Sequence, residues 1–255
     1  MAILEQLLDQ VAGNAERATP VDVRIGGHWT VVVLEVEGEV RGGLSSTLGG
    51  DDDDHHHGGR MPVQDAGALL NYSVEALAML AHSESMLEAS VGLATINALL
   101  DMEVDLARCV DVNAAEVILE RGADRNVAIV GHFPFIPRVK RVAREMWVLE
   151  LNPRPGDLPA SAAPEVLPQA DVIALTGTSL LTHTFDDLIV HMRPEAFVVM
   201  LGGTTPLTPL FFDYGVDALA GTLLEDPTGA MLAISQGATF KQIPGKRLVT
   251  IFREA

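Results

Sequence analysis

Residues 127–138, VAIVGHFPFIPR, decide the fold that this 255-residue chain adopts. The apolar run 127–130 has the length of a buried strand, Gly131 and His132 follow it, and a helical pattern begins beyond the prolines. A strand, a ligand-contacting turn and a helix follow one another in this way in open α/β sheets. The sequence therefore predicts the first strand–turn–helix unit of such a sheet.

Strands and helices alternate regularly after this stretch. Apolar runs predict strands at residues 127–130, 146–151, 172–175, 197–201, 218–221 and 248–252, and helices at residues 136–144, 164–169, 184–191, 206–213 and 227–236. Alternation at this spacing predicts right-handed crossovers and a mainly parallel, doubly wound sheet. We therefore predict a Rossmann-like α/β domain over residues 109–255.

The chain before this domain has a different pattern. Apolar residues at helical spacing predict a first helix that stops at Gly13 and Asn14. Three β-prone runs at 21–25, 29–36 and 40–48 are joined by tight connections and predict an antiparallel meander, and residues 65–100 are helical. The acidic stretch 101–113 loses this periodicity, so we predict a small α+β domain over residues 1–108.

Composition limits the partners. Acidic residues outnumber basic ones 35 to 17, giving a formal charge of −18, which repels nucleic acid and anionic membranes. No uninterrupted apolar run approaches the roughly 18–20 residues that cross a bilayer, and Cys109 is the single cysteine. We expect a cytoplasmic protein with no nucleic-acid partner and no membrane insertion, whose oligomeric state, a homo-oligomer included, stays open.

Residues 51–57, DDDDHHH, are the most biased segment. Their side chains are metal-competent, but consecutive residues point in different directions, and the flanking glycines and crowded like charges are typical of a solvated loop. A solvated surface loop is therefore the favoured interpretation over a functional metal site.

Small and hydroxylated residues follow three of the predicted strands, where ligands bind in a doubly wound sheet. We expect them to form one ligand site, consisting of Gly131, His132, Phe133, Pro134, Thr176, Gly177, Thr178, Gly203, Thr204 and Pro206. Ordinary turn and cap chemistry is the alternative for each loop taken alone. Thr184 and Asp187, for example, have the spacing of a capping box.

A dinucleotide is disfavoured as the ligand. Only Gly131 matches a fingerprint that needs three glycines, and Phe133 and Phe135 occupy the space of a pyrophosphate. Glu150, however, lies at the end of the second strand, where an acidic residue binds ribose hydroxyls. An adenosine-containing ligand without pyrophosphate, such as S-adenosylmethionine, fits both facts, although an exposed strand-end charge explains Glu150 equally well.

His132 and His183 are the candidate ligands for a transition metal of unknown identity, with Asp213 or Glu150 as an oxygen donor. The hypothesis rests on the inferred topology, because the sequence has no metal-binding histidine motif such as H-E-x-x-H. A hydrogen-bonding surface histidine is the commoner role for a lone loop histidine.

Four strings together resemble a bacterial and archaeal family of unknown function named for heavy-metal chelation. They are SVGLATINALL (90–100), VGHFPFI (130–136), ALTGTSLLTHTFDDLI (174–189) and GGTTPLTPLFFDYGVDALAG (202–221). The resemblance spans nearly the whole chain and implies an enolase N-terminal-like domain, then a Rossmann-like domain, with a site in the cleft between them. The matching positions are Gly131, His132, Phe133, Pro134, Thr176, Gly177, Thr178, Pro206, Asp213, Tyr214 and Gly215.

The resemblance raises one functional hypothesis above two others. It implies a protein that binds a metal ion, or a metal-bearing small ligand, in that cleft. The first alternative is an enzyme acting on an adenosine-containing or other polar small molecule, with His132 as acid or base. The second is an assembly module. Whether any reaction is catalysed stays open.

Overall fold

The structure is a computed structural model that describes residues 2–49, 61–101 and 109–254. The 51–57 segment and residues 102–108, which precede the predicted domain boundary, lie outside this description. Over the described residues the α-helices are α1 (Ile3–Ala15), α2 (Val74–Met79), α3 (Met86–Leu99), α4 (Ala114–Gly122), α5 (Ile136–Val142), α6 (Ala163–Val166), α7 (Phe185–Ile189) and α8 (Pro227–Ser235).

The strands over the same residues form two sheets. They are β1 (Ala18–Ile25), β2 (Trp29–Val36), β3 (Glu39–Ser46), β4 (Cys109–Val110), β5 (Asn126–Val130), β6 (Glu145–Glu150), β7 (Leu158–Pro159), β8 (Val172–Thr176), β9 (Phe197–Leu201), β10 (Ala218–Leu224) and β11 (Lys246–Phe252). No helix within the described ranges is long and apolar enough to span a membrane.

The chain divides into two compact units that are not continuous in sequence. The first unit takes the described residues within Met1–Asp101, Leu180–Thr182 and Thr222–Arg247. The second takes those within Met102–Ser179, His183–Gly221 and Leu248–Ala255. The chain therefore returns to the first unit twice after leaving it.

The first unit is built on the antiparallel sheet β1–β2–β3, which confirms the predicted meander. Strand β2 is buried on both faces. Val31 and Val33 join Ile234 of α8 in one apolar cluster, whereas the Thr30 hydroxyl is 2.8 Å from the Ser90 hydroxyl of α3. Cover on both faces explains why β2 is an almost unbroken apolar run, since alternation is expected only when one face meets water.

Small residues bring α3 close to its neighbours. A Cβ at Gly92 would collide with the backbone of Ala81, and one at Gly43 would collide with the carbonyl of Ala94. Asn97 donates from its side-chain amide to the Leu44 carbonyl at 2.8 Å. It is therefore a hydrogen-bonded core residue.

The second unit contains most of an eight-stranded sheet with the order β4-β11-β10-β9-β8-β5-β6-β7. The neighbouring pairs from β10 through β9, β8, β5 and β6 to β7 are parallel, and the β4–β11 pair is antiparallel. After β5 the chain builds outward through β6 and β7, and then returns to place β8 on the other side of β5. The prediction of a mainly parallel, doubly wound sheet is confirmed, with its topological switch point between β5 and β8.

Several local predictions differ from the structure. The predicted helix at 206–213 is a 3₁₀ helix, Pro209–Tyr214, and α1 continues through Gly13 to Ala15. The capping box at Thr184 is wrong, because the Thr184 side chain makes no cap hydrogen bond to α7 and its hydroxyl lies 3.5 Å from the Ser179 carbonyl. Strands β4 and β7 are only two residues long, too short for a periodic pattern to predict.

Two aspartates link neighbouring strands by hydrogen bonds at the amino-terminal edge of the parallel sheet. Asp171 precedes β8 and accepts the Asn126 backbone N–H of β5 at 3.0 Å, and its other oxygen is 3.0 Å from Arg193. Asp217 precedes β10, accepts the Val198 N–H of β9 at 2.9 Å, and pairs with an arginine in the same way. The backbone hydrogen bond, aided by Arg193 and opposed by burial, holds the pKa of Asp171 below its ordinary value.

Candidate functional site

The turn after β5 lies at the switch point and touches the loops on both sides. Gly131 has φ +100°, and its N–H donates to the Leu149 carbonyl of β6 at 2.9 Å. A Cβ at Gly131 would lie 3.0 Å from Cβ of Thr176, the last residue of β8. The glycine therefore permits a backbone conformation and a close approach that other residues resist.

His132, the next residue, faces a carboxylate that is not among the predicted site residues. Its Nδ1 lies 3.6 Å from Oδ2 of Asp157, in the turn before β7. The same oxygen accepts the Arg154 N–H at 3.0 Å. The His132 imidazole is 31% exposed and the Asp157 side chain only 9% exposed. The histidine ring is therefore accessible to solvent, whereas the carboxylate next to it is largely buried.

The phenylalanines of the turn form a stacked pair. The rings of Phe133 and Phe135 are 5.1 Å apart with an interplanar angle of 12°, and both pack on the apolar core of the unit. The Phe133 ring also lies 3.5 Å from the position a Cβ would take on Gly131, while Pro134 is exposed. An aromatic ring thus covers the turn where a dinucleotide's pyrophosphate would approach.

The loop after β8 hydrogen-bonds to itself. The hydroxyls of Thr176 and Thr178 are 2.9 Å apart, and the Ser179 hydroxyl donates to the Thr176 carbonyl at 2.8 Å. Gly177 between them is buried against the next loop: a Cβ there would lie 2.6 Å from the hydroxyl oxygen of Thr205. The loops after β8 and β9 are therefore in direct contact.

The loop after β9 is almost fully covered. Gly203, Thr204 and Pro206 are buried, and Thr205 is 3% exposed, with its N–H bonded to the Gly202 carbonyl at 3.1 Å. The Thr205 hydroxyl has no hydrogen-bond partner among the described residues. Thr205 belongs to this predicted hydroxylated loop but is not among the predicted site residues, and its burial against Gly177 is visible only in three dimensions.

The remaining predicted site residues lie on other elements. Glu150 ends β6 beside Pro159 of β7 and is partly buried. Asp213 is exposed on the 3₁₀ helix, and His183 is exposed in the loop before α7 with a left-handed φ of 54°.

Metal-binding side chains do not gather in threes in the part of the chain that the structure describes. Over residues 2–49, 61–101 and 109–254, no group of three or more His, Cys, Asp and Glu side chains could hold a metal ion. The donors that meet at the turn after β5 are one imidazole, on His132, and one carboxylate, on Asp157. They do not fit a metal held by protein ligands alone, because such sites supply at least three.

A family model described as "Putative heavy-metal chelation" matches residues 113–253, and a second model with the same description matches residues 8–100. The chain belongs to the DUF364 family. The predicted family resemblance is therefore confirmed. This membership places the chain among proteins named for heavy-metal chelation whose function is unknown.

Similar proteins match this chain over nearly its whole length. An uncharacterized protein of Methanocaldococcus jannaschii is 25% identical over 90% of this chain and 88% of its own length. A DUF364 protein of unknown function from Pyrococcus horikoshii superposes with a TM-score of 0.80 at 21% identity, covering 98% of this chain and 99% of that one. Another, from Desulfitobacterium hafniense, has a TM-score of 0.77 at 24% identity and covers 98% of both chains.

Proposed function

We propose that this DUF364 protein binds a metal ion that arrives in a small chelate, with His132 as the protein's ligand to the metal. The observation that supports the proposal is the His132–Asp157 pair. Histidines that ligate metals usually offer their second ring nitrogen to a carboxylate or carbonyl, which orients the ring and raises its basicity. With Nδ1 toward Asp157, Nε2 is the nitrogen available to the metal.

A chelated metal suits this turn better than a bare ion. A bare transition metal needs three or four donors from the protein, and the described residues at the turn offer two. A chelator supplies the other donors and leaves one coordination position for an imidazole. The acidic chain also favours a neutral or cationic complex over an anionic one.

The other predicted site residues belong to this proposal as walls of the ligand site. They are Gly131, Phe133, Pro134, Glu150, Thr176, Gly177, Thr178, Gly203, Thr204, Pro206 and Asp213. Those after β5, β6, β8 and β9 lie at the same edge of the parallel sheet. The location in a cleft between two domains, predicted from the resemblance, stays a prediction, as does metal ligation by His183.

Copper in a tridentate chelate tests the proposal. Cu²⁺ with diethylenetriamine keeps one equatorial position open, and copper binds imidazole strongly. We expect calorimetric titration to show binding by the wild type that weakens at least tenfold in His132→Ala. Asp157→Asn should weaken it about 10–100-fold, as outer-shell partners do. The visible absorption band of copper should shift when the imidazole binds.

Two controls separate this site from other donors. His28→Ala removes an exposed histidine of the first unit and should bind as the wild type does. Each titration is repeated in a chain lacking residues 51–57, so that binding by DDDDHHH is measured separately. Equal affinity of His132→Ala and His28→Ala in the shortened chain would refute the proposal.

An adenosine-containing ligand is the second candidate. The Gly131 N–H donates to the Leu149 carbonyl, so the turn lies directly beside the end of β6. In this candidate function Glu150, the last residue of β6, would bind the ribose hydroxyls. A ligand at 100 times its dissociation constant adds about 2.7 kcal/mol to stability. Unchanged melting curves with S-adenosylmethionine, its demethylated product and adenine nucleotides would exclude this candidate.

A further inference from the structure

Basic residues are concentrated in one short part of this acidic chain. Residues 121–145 contain six of its 17 lysines and arginines but only two of its 35 aspartates and glutamates. This segment runs from the end of α4 to the start of β6 and belongs to the second unit. It therefore carries a net positive charge, whereas the chain as a whole carries −18.

Four of these cations lie together at the amino-terminal edge of the parallel sheet. Arg125 directly precedes β5 and Arg144 directly precedes β6, and the Arg144 N–H donates to the Arg125 carbonyl at 2.9 Å. The residue before Arg125 donates its N–H to the last carbonyl of α5 at 2.9 Å, which brings Lys140 and Arg141, in the last turn of α5, to the same place. All four residues are exposed, and we call them the basic face.

The basic face is not neutralised by nearby carboxylates. Within the described ranges its four side chains form no ion pair, whereas Arg138 of the same helix α5 pairs with Glu116 of α4 at 2.9 Å. Asp171, at the start of β8, is already bonded to Arg193 and to the Asn126 N–H. The positive charge of the basic face is therefore directed to solvent.

The stability of the fold does not account for the basic face. Cations at the end of α5 complement the helix dipole, which favours Lys140 and Arg141. Arg125 and Arg144 lie outside the helices, and like charges this close repel one another. Arg141 and Arg144 each give one N–H to a backbone carbonyl, out of the five that a guanidinium carries. Donors remain for an anionic partner.

The surroundings of the basic face restrict its partner to a short one. Helix α5 has seven residues and is therefore about 10 Å long, and the Debye length at physiological salt is about 8 Å. Beyond this distance the chain is acidic, so it repels a long nucleic acid, an anionic membrane and a second copy of itself. Val142, which ends α5 and is 37% exposed, adds an apolar contact that suits a peptide.

We infer that the basic face binds a short acidic segment of another protein, with several carboxylates on the four cations and an apolar side chain on Val142. Clusters of arginines recognise acidic motifs in this way, through charge-assisted hydrogen bonds. The basic face lies at the amino ends of β5 and β6, whereas His132 follows the carboxyl end of β5. The inference is therefore independent of the proposed function.

A peptide of six glutamates around one leucine, labelled with tetramethylrhodamine, tests the inference by fluorescence anisotropy. We expect wild type to bind the peptide, less tightly as salt rises. The double variant Arg125→Gln, Lys140→Gln should bind it about fivefold more weakly, as expected for the loss of two exposed ion pairs. Its control, Arg24→Gln with Lys241→Gln, removes the same charge from exposed positions of the first unit and should bind as wild type does.

The other outcomes would overturn the inference. Absence of peptide binding by wild type at low salt, or an equal loss in both double variants, would show that the basic face does not recognise the peptide. Tighter binding of a six-nucleotide single strand would replace the peptide by nucleic acid. Wild-type dimers in analytical ultracentrifugation that the basic-face variant lacks would place a second copy there. Because the two proposals are independent, His132→Ala should bind the peptide as wild type does.

Discussion

Gly131 and Gly156 have the same positive φ in different surroundings. Both have φ of +100°, yet a Cβ on Gly131 would meet Thr176 at 3.0 Å, whereas one on Gly156 would meet no atom within 4 Å. Alanine at either position incurs the cost of a left-handed conformation, and only at Gly131 must the next loop also shift. The comparison therefore isolates the contact between the loops after β5 and β8.

We predict that Gly131→Ala is less stable than Gly156→Ala by about 1–3 kcal/mol, the usual range for overpacking. Urea denaturation of the two variants measures the difference in stability, since both alanines take on the cost of a positive φ of +100°. Equal stabilities of the two variants would show that the loop after β8 can move away from an alanine at position 131 without a loss of stability.

His183 has a left-handed backbone that is unfavourable for any residue with a side chain. Its φ of 54° costs roughly 1–2 kcal/mol in residues other than glycine. Strain of this kind persists where the surrounding structure imposes it, often near functional sites. We predict that His183→Gly is about 1 kcal/mol more stable than His183→Ala. Both variants lack the imidazole, so thermal melting reports the backbone cost alone; a more stable alanine variant would contradict it.

The most important residue contact of the site could not be predicted from the sequence. Gly131 and His132 are predictable because a glycine that follows an apolar run is a local signal of a strand–turn–helix unit. Asp157 lies 25 positions after His132, before a strand of two residues. The approach of Asp157 to the imidazole depends on how β6 and β7 are paired. The burial of the Thr205 hydroxyl depends on the close approach of Gly177. Neither signal is local.

At the scale of elements, the hydrogen bond that links the start of β8 to the start of β5 is strengthened by the negative charge of Asp171. Its pKa is lowered in the folded protein, chiefly by the Asn126 N–H. The stability it contributes is therefore fully present above its ordinary pKa of about 3.9 and is lost as pH falls through the lowered value. The charged acceptor matters more than the arginine pair, because the Arg193 side chain is 37% exposed.

We predict that Asp171→Asn lowers the free energy of unfolding by about 1–2 kcal/mol at pH 7, because asparagine keeps an oxygen acceptor for the Asn126 N–H and loses only part of the roughly 1.5–3 kcal/mol that a hydrogen bond to a charged group contributes. The difference from wild type should shrink below about pH 4 and vanish at lower pH. Asp9→Asn, which removes one negative charge from an exposed position on α1, should show no such dependence. A difference that stays constant from pH 7 to pH 3 would contradict this account.

The positions of the helices and strands along the sequence were easier to predict than the sheets against which the helices pack. All six predicted strands of the second half exist, because their apolar runs are bounded by turn residues. Helix α8 also forms where predicted, yet it covers the antiparallel sheet through Ala230 and Ile234. An apolar helix face specifies burial and does not specify which sheet it covers. Glycines at positions 26 and 42 of the first unit, which accommodate Ile234 and Pro227, become meaningful only in three dimensions.

At the scale of the whole molecule, the formal charge of −18 opposes the compact state by self-repulsion. Sodium chloride screens this repulsion, since the Debye length falls from about 30 Å at 0.01 M to about 10 Å at 0.1 M. We predict that the melting temperature rises between 10 mM and 300 mM sodium chloride. Chloride is preferred to sulfate because sulfate stabilises proteins by exclusion from their surface. A constant or falling melting temperature would contradict the prediction.

The discontinuous first unit affects how this protein is made. Synthesis proceeds from the amino terminus, and domains generally fold as they emerge. Here β2 emerges early, but α8, which covers Val31 and Val33, is translated only after residue 226. One apolar face of the β1–β2–β3 sheet therefore stays exposed to solvent while most of the second unit is being synthesised. The amino-terminal half is the vulnerable part of the nascent chain, and a ribosome stalled before α8 would release a product prone to aggregation.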